Sequence, residues 1–232
     1  LIDNKMLYDE KKTKRTIKDT IFISACAPPS GGRNPVTPRL FRHFNMIWMT
    51  DLSLESMQSI FKTIVSSWLS NTKNLEKETD TLIDSALKMY NKIRDKLLPT
   101  PSKSHYTFNL RDMSKVIQGM VKANLNDLVD KKILVLLWIH ETSRQFRDRL
   151  LFEDIAWFDK EIKTLYEGPL QMEKNTLMSL DQLIFTDVKE KSYRLNVDFN
   201  NLHKKINDEL ESYNTATRAG QMKLVFFTDA IN

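Results

Sequence analysis

The feature that most limits what this chain can fold into is a helical spacing of apolar residues, repeated four times between residues 52 and 150. Ser53 is placed to cap the first helix, in which Leu54, Met57, Ile60, Phe61, Ile64, Val65, Trp68 and Leu69 follow the i, i+3, i+4, i+7 rule. Asn71 and the Asn-rich turn after it end that pattern. A second helix spans about residues 76–98, with Leu82, Ile83, Ala86, Met89, Tyr90, Ile93 and Leu97 inward, and Pro99 and Pro101 stop it. The stretch SHYTFN reads as extended and leads into a third helix. Asn109 is its N-cap, Asp112 sits at N3, and Leu110, Met113, Val116, Ile117, Met120 and Val121 form its stripe. The fourth runs from about Asp127 to Leu150, and its nearly continuous apolar run predicts the most buried helix of a bundle.

Composition narrows the rest. A chain of 232 residues can bury a sizeable core, and only five glycines favour helices over turn-rich β structure. The net charge of +5 comes from interleaved basic and acidic residues, so there is no stripe for nucleic acid. One cysteine excludes an internal disulfide and fits a reducing compartment. The longest apolar run, residues 133–139, is far short of the roughly 18 to 20 residues of a membrane span, so neither nucleic acid nor membrane is an expected partner. Leu1 is not an initiator Met and no signal-peptide pattern follows, so the chain reads as a piece of something longer.

Ahead of the helices lies a different kind of sequence. Residues 1–20, with KKTKR at 11–15, read as an exposed turn or short helix. Residues 21–25 form an apolar run that predicts a strand buried on both faces, and residues 45–49 a second one. Between them, Thr37-Pro38 opens a short helix with Leu40, Phe41 and Phe44 on one face, packing home, and Arg39 and Arg42 on the other. Two guanidinium groups on a rigid element suit an anion on a neighbouring module, although the spacing is equally that of solvated surface charges. Beyond residue 150, FEDIAWFDKEIKTLYEGPLQ holds a short helix and a break at Gly168-Pro169. Residues 199–213 read as a helix with Leu202, Ile206, Leu210 and Tyr213 at helical spacing, and residues 222–227 as a strand or edge segment. His43, His105, His140 and His203 have no metal-ligand spacing; His140 reads as a satisfied core histidine. Trp48, Trp68, Trp138 and Trp157 read as core, and Cys26 as a small buried residue.

Two long motifs carry a family resemblance. GGRNPVTPR followed by LFRHF resembles the third AAA+ module of a dynein heavy chain, in the axonemal form, and LLPTPSKSHYTFNLRD resembles the helical lid of that module. The closing MKLVFFTDAIN is similar to the entry segment of the fourth module. The resemblance runs in order from about Tyr8 to the C-terminus and is weakest between Gly168 and Asn196. It implies a mainly α fold: the end of an AAA+ α/β core (two strands and a short helix), an α-helical lid bundle and further helices. The implied divisions are 1–51 for the core, 52–150 for the lid, 151–221 for a helical connector and 222–232 for the start of the next module.

The resemblance also implies roles. Arg42 stands where AAA+ proteins place the arginine finger, reaching the nucleotide of the preceding module, with Arg39 the second candidate and Arg33 bracing the loop. Arg111 occupies the sensor-2 position and would read the nucleotide of its own module; the other reading is that it only pairs with Asp112 or a surface carboxylate. Val225 and Phe226 resemble a loop that touches adenine in the following module, or are a plain edge strand. Ala27 stands at the sensor-1 position, where a polar residue is usual, which favours a regulatory nucleotide site over a fast one. GxxxxGK[ST] and paired Mg²⁺-binding acids occur nowhere in the chain. ATP or ADP with Mg²⁺ is therefore expected in the full module and none in this chain alone, which is not expected to hydrolyse ATP by itself. Implied partners are the neighbouring AAA+ modules, other dynein heavy, intermediate and light chains, and microtubules through parts of the parent molecule that this chain lacks, in the cytoplasm, on the cytoskeleton and in the ciliary axoneme. The competing reading is a non-enzymatic helical scaffold whose arginines meet acidic partners.

Overall fold

The computed structural model describes residues 1–26, 36–70, 72, 75–173, 180, 183–188, 192–196, 198–217 and 222–223. The chain divides into two compact units, Leu1–Asp51 and Leu52–Asn232.

In the first unit the charged N-terminal segment forms a hairpin. Strand β1 (Met6–Tyr8) pairs antiparallel with β2 (Lys14–Thr16), with Leu7 opposite Arg15. Asp9 makes the turn: its carbonyl accepts the Lys12 N–H at 2.9 Å and its Oδ1 the Thr13 N–H at 2.8 Å, with Lys12 left-handed at φ 60°. The strands expected at 21–25 and 45–49 are absent: the described residues of both runs are in neither strand nor helix and face outward, Ile21 at 87% and Ile23 at 93% exposure. A strand apolar on both faces needs neighbouring strands and covering helices, and among the described residues of this unit nothing supplies either. Trp48 at 75% exposure and the exposed Cys26 likewise depart from their expected burial. Helix α1 (Pro38–Phe41) begins at Thr37 with Pro at its start, as read. It buries none of its own residues: Leu40 is exposed and Phe41 and Phe44 are half-buried, so its apolar side is only partly packed.

The second unit is a helical bundle built around one continuous core. Helix α2 (Leu54–Leu69) starts where Ser53 Oγ accepts the Ser56 N–H at 3.1 Å. A 3-10 turn, Glu76–Glu78, precedes α3 (Thr79–Lys96). Helix α4 (Leu110–Val121) opens on Asn109 with a full capping box. Helix α5 (Lys131–Gln145) opens on Asp130, whose Oδ1 accepts the Ile133 N–H at 2.9 Å; residues 125–127 form a separate 3-10 turn, so α5 starts four residues later than the apolar run suggests. Helix α6 (Phe152–Glu167) is sixteen residues long, not short, and stops at Gly168. The hairpin β3 (Ile184–Thr186) and β4 (Arg194–Asn196) pairs Phe185 with Leu195, and α7 (Phe199–Ala216) follows, capped by Asp198.

Packing follows the stripes. Helix α2 lies against α3 and α4, α3 against α4 and α6, and α5 against α4 and β3. Every residue from Leu134 to His140 is buried, as the all-round apolar pattern of α5 requires. On α2 only half of the expected stripe is buried: Met57, Phe61, Val65 and Leu69 are buried, while Leu54, Ile60 and Ile64 remain exposed, Ile64 beside a groove that Ile117 and Val121 of α4 also line. Trp68 and Trp157 are half-buried at the edge of the core, and the Lys96 ammonium lies 4.6 Å from the Trp157 ring centre.

Trp138, fully buried on α5, and Phe152, exposed at the start of α6, provide a contrast. Trp138→Ala is expected to cost about 3–5 kcal/mol through the cavity it leaves, and Phe152→Ala no more than about 0.5 kcal/mol, in urea unfolding followed by circular dichroism.

Candidate functional site

Arg42, immediately after α1, is engaged within its own unit. Its Nη2 donates to Asp3 Oδ1 at 2.5 Å, its Nε lies 3.2 Å from His43 Nε2, and that imidazole nitrogen is 2.9 Å from the same Asp3 oxygen. Burial pushes the Asp3 carboxyl up, but the Arg42 hydrogen bond and charge, with His43 and Arg39 adding to them, hold it below the ordinary carboxylate range. Arg42 and Asp3 are both largely exposed, so the pair is open to water and to competing anions. Arg39 is exposed on α1. Arg33, Ala27, Val225 and Phe226 lie outside the described residues.

Arg111 sits in the first turn of α4, in the second unit. Its backbone N–H is taken by Asn109 Oδ1 at 2.9 Å, its side chain is exposed, and that side chain has no hydrogen-bond or ion-pair partner among the described residues. The obvious intrahelical partner is committed elsewhere. Asp112 Oδ2 accepts the Asn109 N–H at 2.9 Å, closing the capping box, and Asp112 Oδ1 accepts Gln145 Nε2 at 2.8 Å and Arg149 Nη1 at 3.1 Å. Successive residues on a helix point in different directions, so Arg111 turns away from this cluster while Asp112 turns into it. The capping box occupies the N–H groups of this turn, so an anion met here would be held by the exposed guanidinium, with the helix dipole favouring it.

The segment before α4 is fixed from the other side. The Tyr106 hydroxyl accepts the Leu151 N–H at 2.8 Å and donates to Asp154 Oδ2 at 2.7 Å, and Lys103 Nζ reaches the same oxygen at 2.6 Å. The Asp154 hydrogen bond, then that of Glu153, raises the Lys103 ammonium well above its ordinary value. Burial raises the Asp154 carboxyl, and the Lys103 and Tyr106 hydrogen bonds bring it down below the usual range. Arg149 adds a further tie: its guanidinium carbon lies 4.8 Å from the Phe108 ring centre, and its carbonyl oxygen is 3.1 Å from His105 Nε2. The start of α4 is thus held by three elements, and Arg111 is displayed from a fixed base. Sequence reasoning found the Asn109 cap and Asp112 at N3, but not the reciprocal capping box, nor Lys103, Arg149 or Asp154, because the latter pairings join residues between 37 and 51 positions apart. A buried aromatic-rich segment without helical spacing was the only local signal.

No described helix is long and apolar enough to cross a membrane, and among the described residues no group of three or more His, Cys, Asp or Glu is placed to hold a metal ion.

Removing the carboxylate that organises this cluster tests its structural weight. Asp112→Ala is expected to lower stability by about 1–3 kcal/mol, since it opens the cap and strands Gln145 and Arg149, with Asp112→Asn losing less; the denaturation midpoint measures it.

Residues 58–155 match a family model described as Dynein heavy chain, ATPase lid domain, and residues 1–52 match one described as P-loop containing dynein motor region. Dynein axonemal heavy chain 1 of Homo sapiens is 37% identical over 97% of this chain and 6% of its own length. Dynein axonemal heavy chain 6 of Homo sapiens is 37% identical over 97% of this chain and 6% of its own, and Dynein axonemal heavy chain 2 of Mus musculus 35% over 99% and 5%. The chain therefore spans only about one-twentieth of the length of these relatives.

Proposed function

This chain belongs to the dynein heavy-chain family, and from that premise we propose that it is a segment of an ATP-driven motor ring that passes nucleotide state from one AAA+ module to the next. In this reading residues 1–51 end the α/β core of the third module, 52–150 are its lid, 151–221 connect onward, and 222–232 begin the fourth. The parent molecule moves along microtubules and works in the axoneme together with other heavy, intermediate and light chains.

The observation that carries the reading is the state of Arg111: exposed and unpaired among the described residues, on a helix start clamped by Asp112, Arg149 and Gln145. A charge left free on a preorganised base loses little when it takes an anion. Arg111 is the sensor-2 residue that touches the nucleotide of its own module and couples it to the lid, with Mg²⁺ and the phosphate-binding loop supplied elsewhere in the parent molecule. Arg42 is the finger toward the preceding module's nucleotide, and Arg39 its companion. To act, Arg42 exchanges Asp3 for phosphate, a small step because the ion pair is largely exposed. Val225 and Phe226 touch adenine in the following module. With Ala27 at the sensor-1 position, the third module's nucleotide serves regulation more than turnover. Coupling of this kind needs two packings of lid on core with different affinities for nucleotide.

Two measurements check this in the full-length heavy chain. Arg111→Ala is expected to weaken nucleotide binding at the third module about 10- to 100-fold, the loss of one charge-assisted contact, in a fluorescent-nucleotide titration; unchanged affinity removes Arg111 from the site. Arg42→Ala is expected to reduce nucleotide turnover at the preceding module while the thermal melt stays in place. A lowered melt with normal turnover makes Arg42 a structural residue instead.

A further inference from the structure

Tyr193, immediately before β4, places its hydroxyl between two neighbours on α5. Glu141 Oε1 is 2.5 Å away and His140 Nε2 3.1 Å away, while His140 Nδ1 is 2.8 Å from the Leu183 carbonyl oxygen. A carbonyl only accepts, so Nδ1 carries a hydrogen. A phenol has one hydrogen to give. With Glu141 ionised and His140 neutral, that hydrogen satisfies one of them and leaves the other facing an oxygen lone pair. All three contacts are met only when the group holds one further proton. Either Glu141 is a carboxylic acid donating to Tyr193 while Tyr193 donates to Nε2, or His140 is an imidazolium donating to Tyr193 while Tyr193 donates to the carboxylate.

The surroundings choose between these. His140 is buried, and burial, offset in part by the Leu183 bond and reinforced by Arg144, lowers it to about 4. Burial raises the Glu141 carboxyl, against the Tyr193 hydrogen bond and the charges of Arg144 and Lys122. Burial, then Glu141, and more weakly Asp187, push the Tyr193 phenol well above its ordinary value, so it is not the group that ionises. The carboxyl is also boxed in from α4: a Cβ on Gly119 would lie 1.9 Å from Glu141 Oε2, so only glycine leaves room for it. When the group holds the further proton, Glu141 and not His140 carries it.

We propose that Glu141, Tyr193 and His140 form a proton-operated latch: a proton on Glu141 fastens the β3–β4 hairpin to α5, and its loss loosens the hairpin and the α7 helix that follows it. The latch does not depend on the nucleotide reading.

The sign follows from linkage. Released from the hairpin, Glu141 returns toward its ordinary 4.5; held, it titrates higher. Its contribution is complete below 4.5 and is lost as pH rises through the raised value, by up to tenfold for each pH unit between the two. His140 acts in the opposite sense, weakening the hold as pH falls from 6.5 toward about 4, so the Glu141 effect must be read against a variant that keeps His140. Glu141→Gln is that variant, since its amide donates to Tyr193 at every pH. The test is hydrogen exchange of the Phe185 and Leu195 amides in the 232-residue chain, wild type and Glu141→Gln, from pH 4 to pH 8. The protection of wild type relative to Glu141→Gln is expected to fall as pH rises and then level. The infrared difference between the two proteins is expected to contain a carboxylic-acid carbonyl band above the ordinary carboxylate range of pH. A protection ratio that stays flat, or a difference spectrum without that band, overturns the latch.

Discussion

Helix α5 is apolar on every side, and most of the second unit is arranged to answer that fact. Seven successive residues, Leu134 to His140, are buried, so no face of the helix can be left to water. Helix α4 covers one side, β3 another, and the Arg147–Arg149 turn closes the end. Apolar burial on this scale is worth tens of kcal/mol before chain entropy is set against it, which makes α5 the element that the others must reach. It also cuts the polar groups of α5 off from water: Trp138 Nε1, Thr142 Oγ1 and Ser143 Oγ are buried without a hydrogen-bond partner among the described residues, whereas His140 and Glu141 find one. They do so through Leu183 and Tyr193, which tie the segment around the hairpin to α5 alongside the buried Phe185.

How far the sequence could be read depended on whether the deciding partner was near in the chain. The caps at Ser53 and Asn109 were legible because a cap and the N–H that it accepts are a few residues apart. The stripes of α3 and α4 were legible because their spacing is the helix period itself, and His140 as a satisfied core residue because it stood inside the apolar run. The runs at 21–25 and 45–49 were read as strands because their composition suits one, but a strand is completed by other strands, and composition cannot report whether they are there. The β1–β2 hairpin was missed for the opposite reason. Its strands are three residues each, β2 is charged and nearly all of both is exposed, and its turn is set by Asp9 and a left-handed Lys12, where glycine would have been the usual sign.

At the candidate site the same division appears within one turn of helix. Asp112 was read as an N3 acid suited to the helix dipole; in the structure one of its oxygens closes the capping box and the other holds Gln145 and Arg149. That second use is what leaves Arg111 without a local partner and fixes the direction in which it is offered. Arg42 shows the contrary case, an arginine already occupied by a carboxylate that is weakly held. The two side chains therefore differ in state: one is exposed without a partner among the described residues, and the other is paired with Asp3.

The four tryptophans also stand in graded surroundings, with Trp48 open to water, Trp68 and Trp157 at the edge of the core, and Trp138 sealed inside it. Indole emission shifts with the polarity around the ring, so the intrinsic fluorescence of this protein is a composite whose red edge belongs to the first unit and whose blue edge belongs to α5. A single spectrum followed through a melt would separate the loosening of one unit from the collapse of the other, without any label being attached.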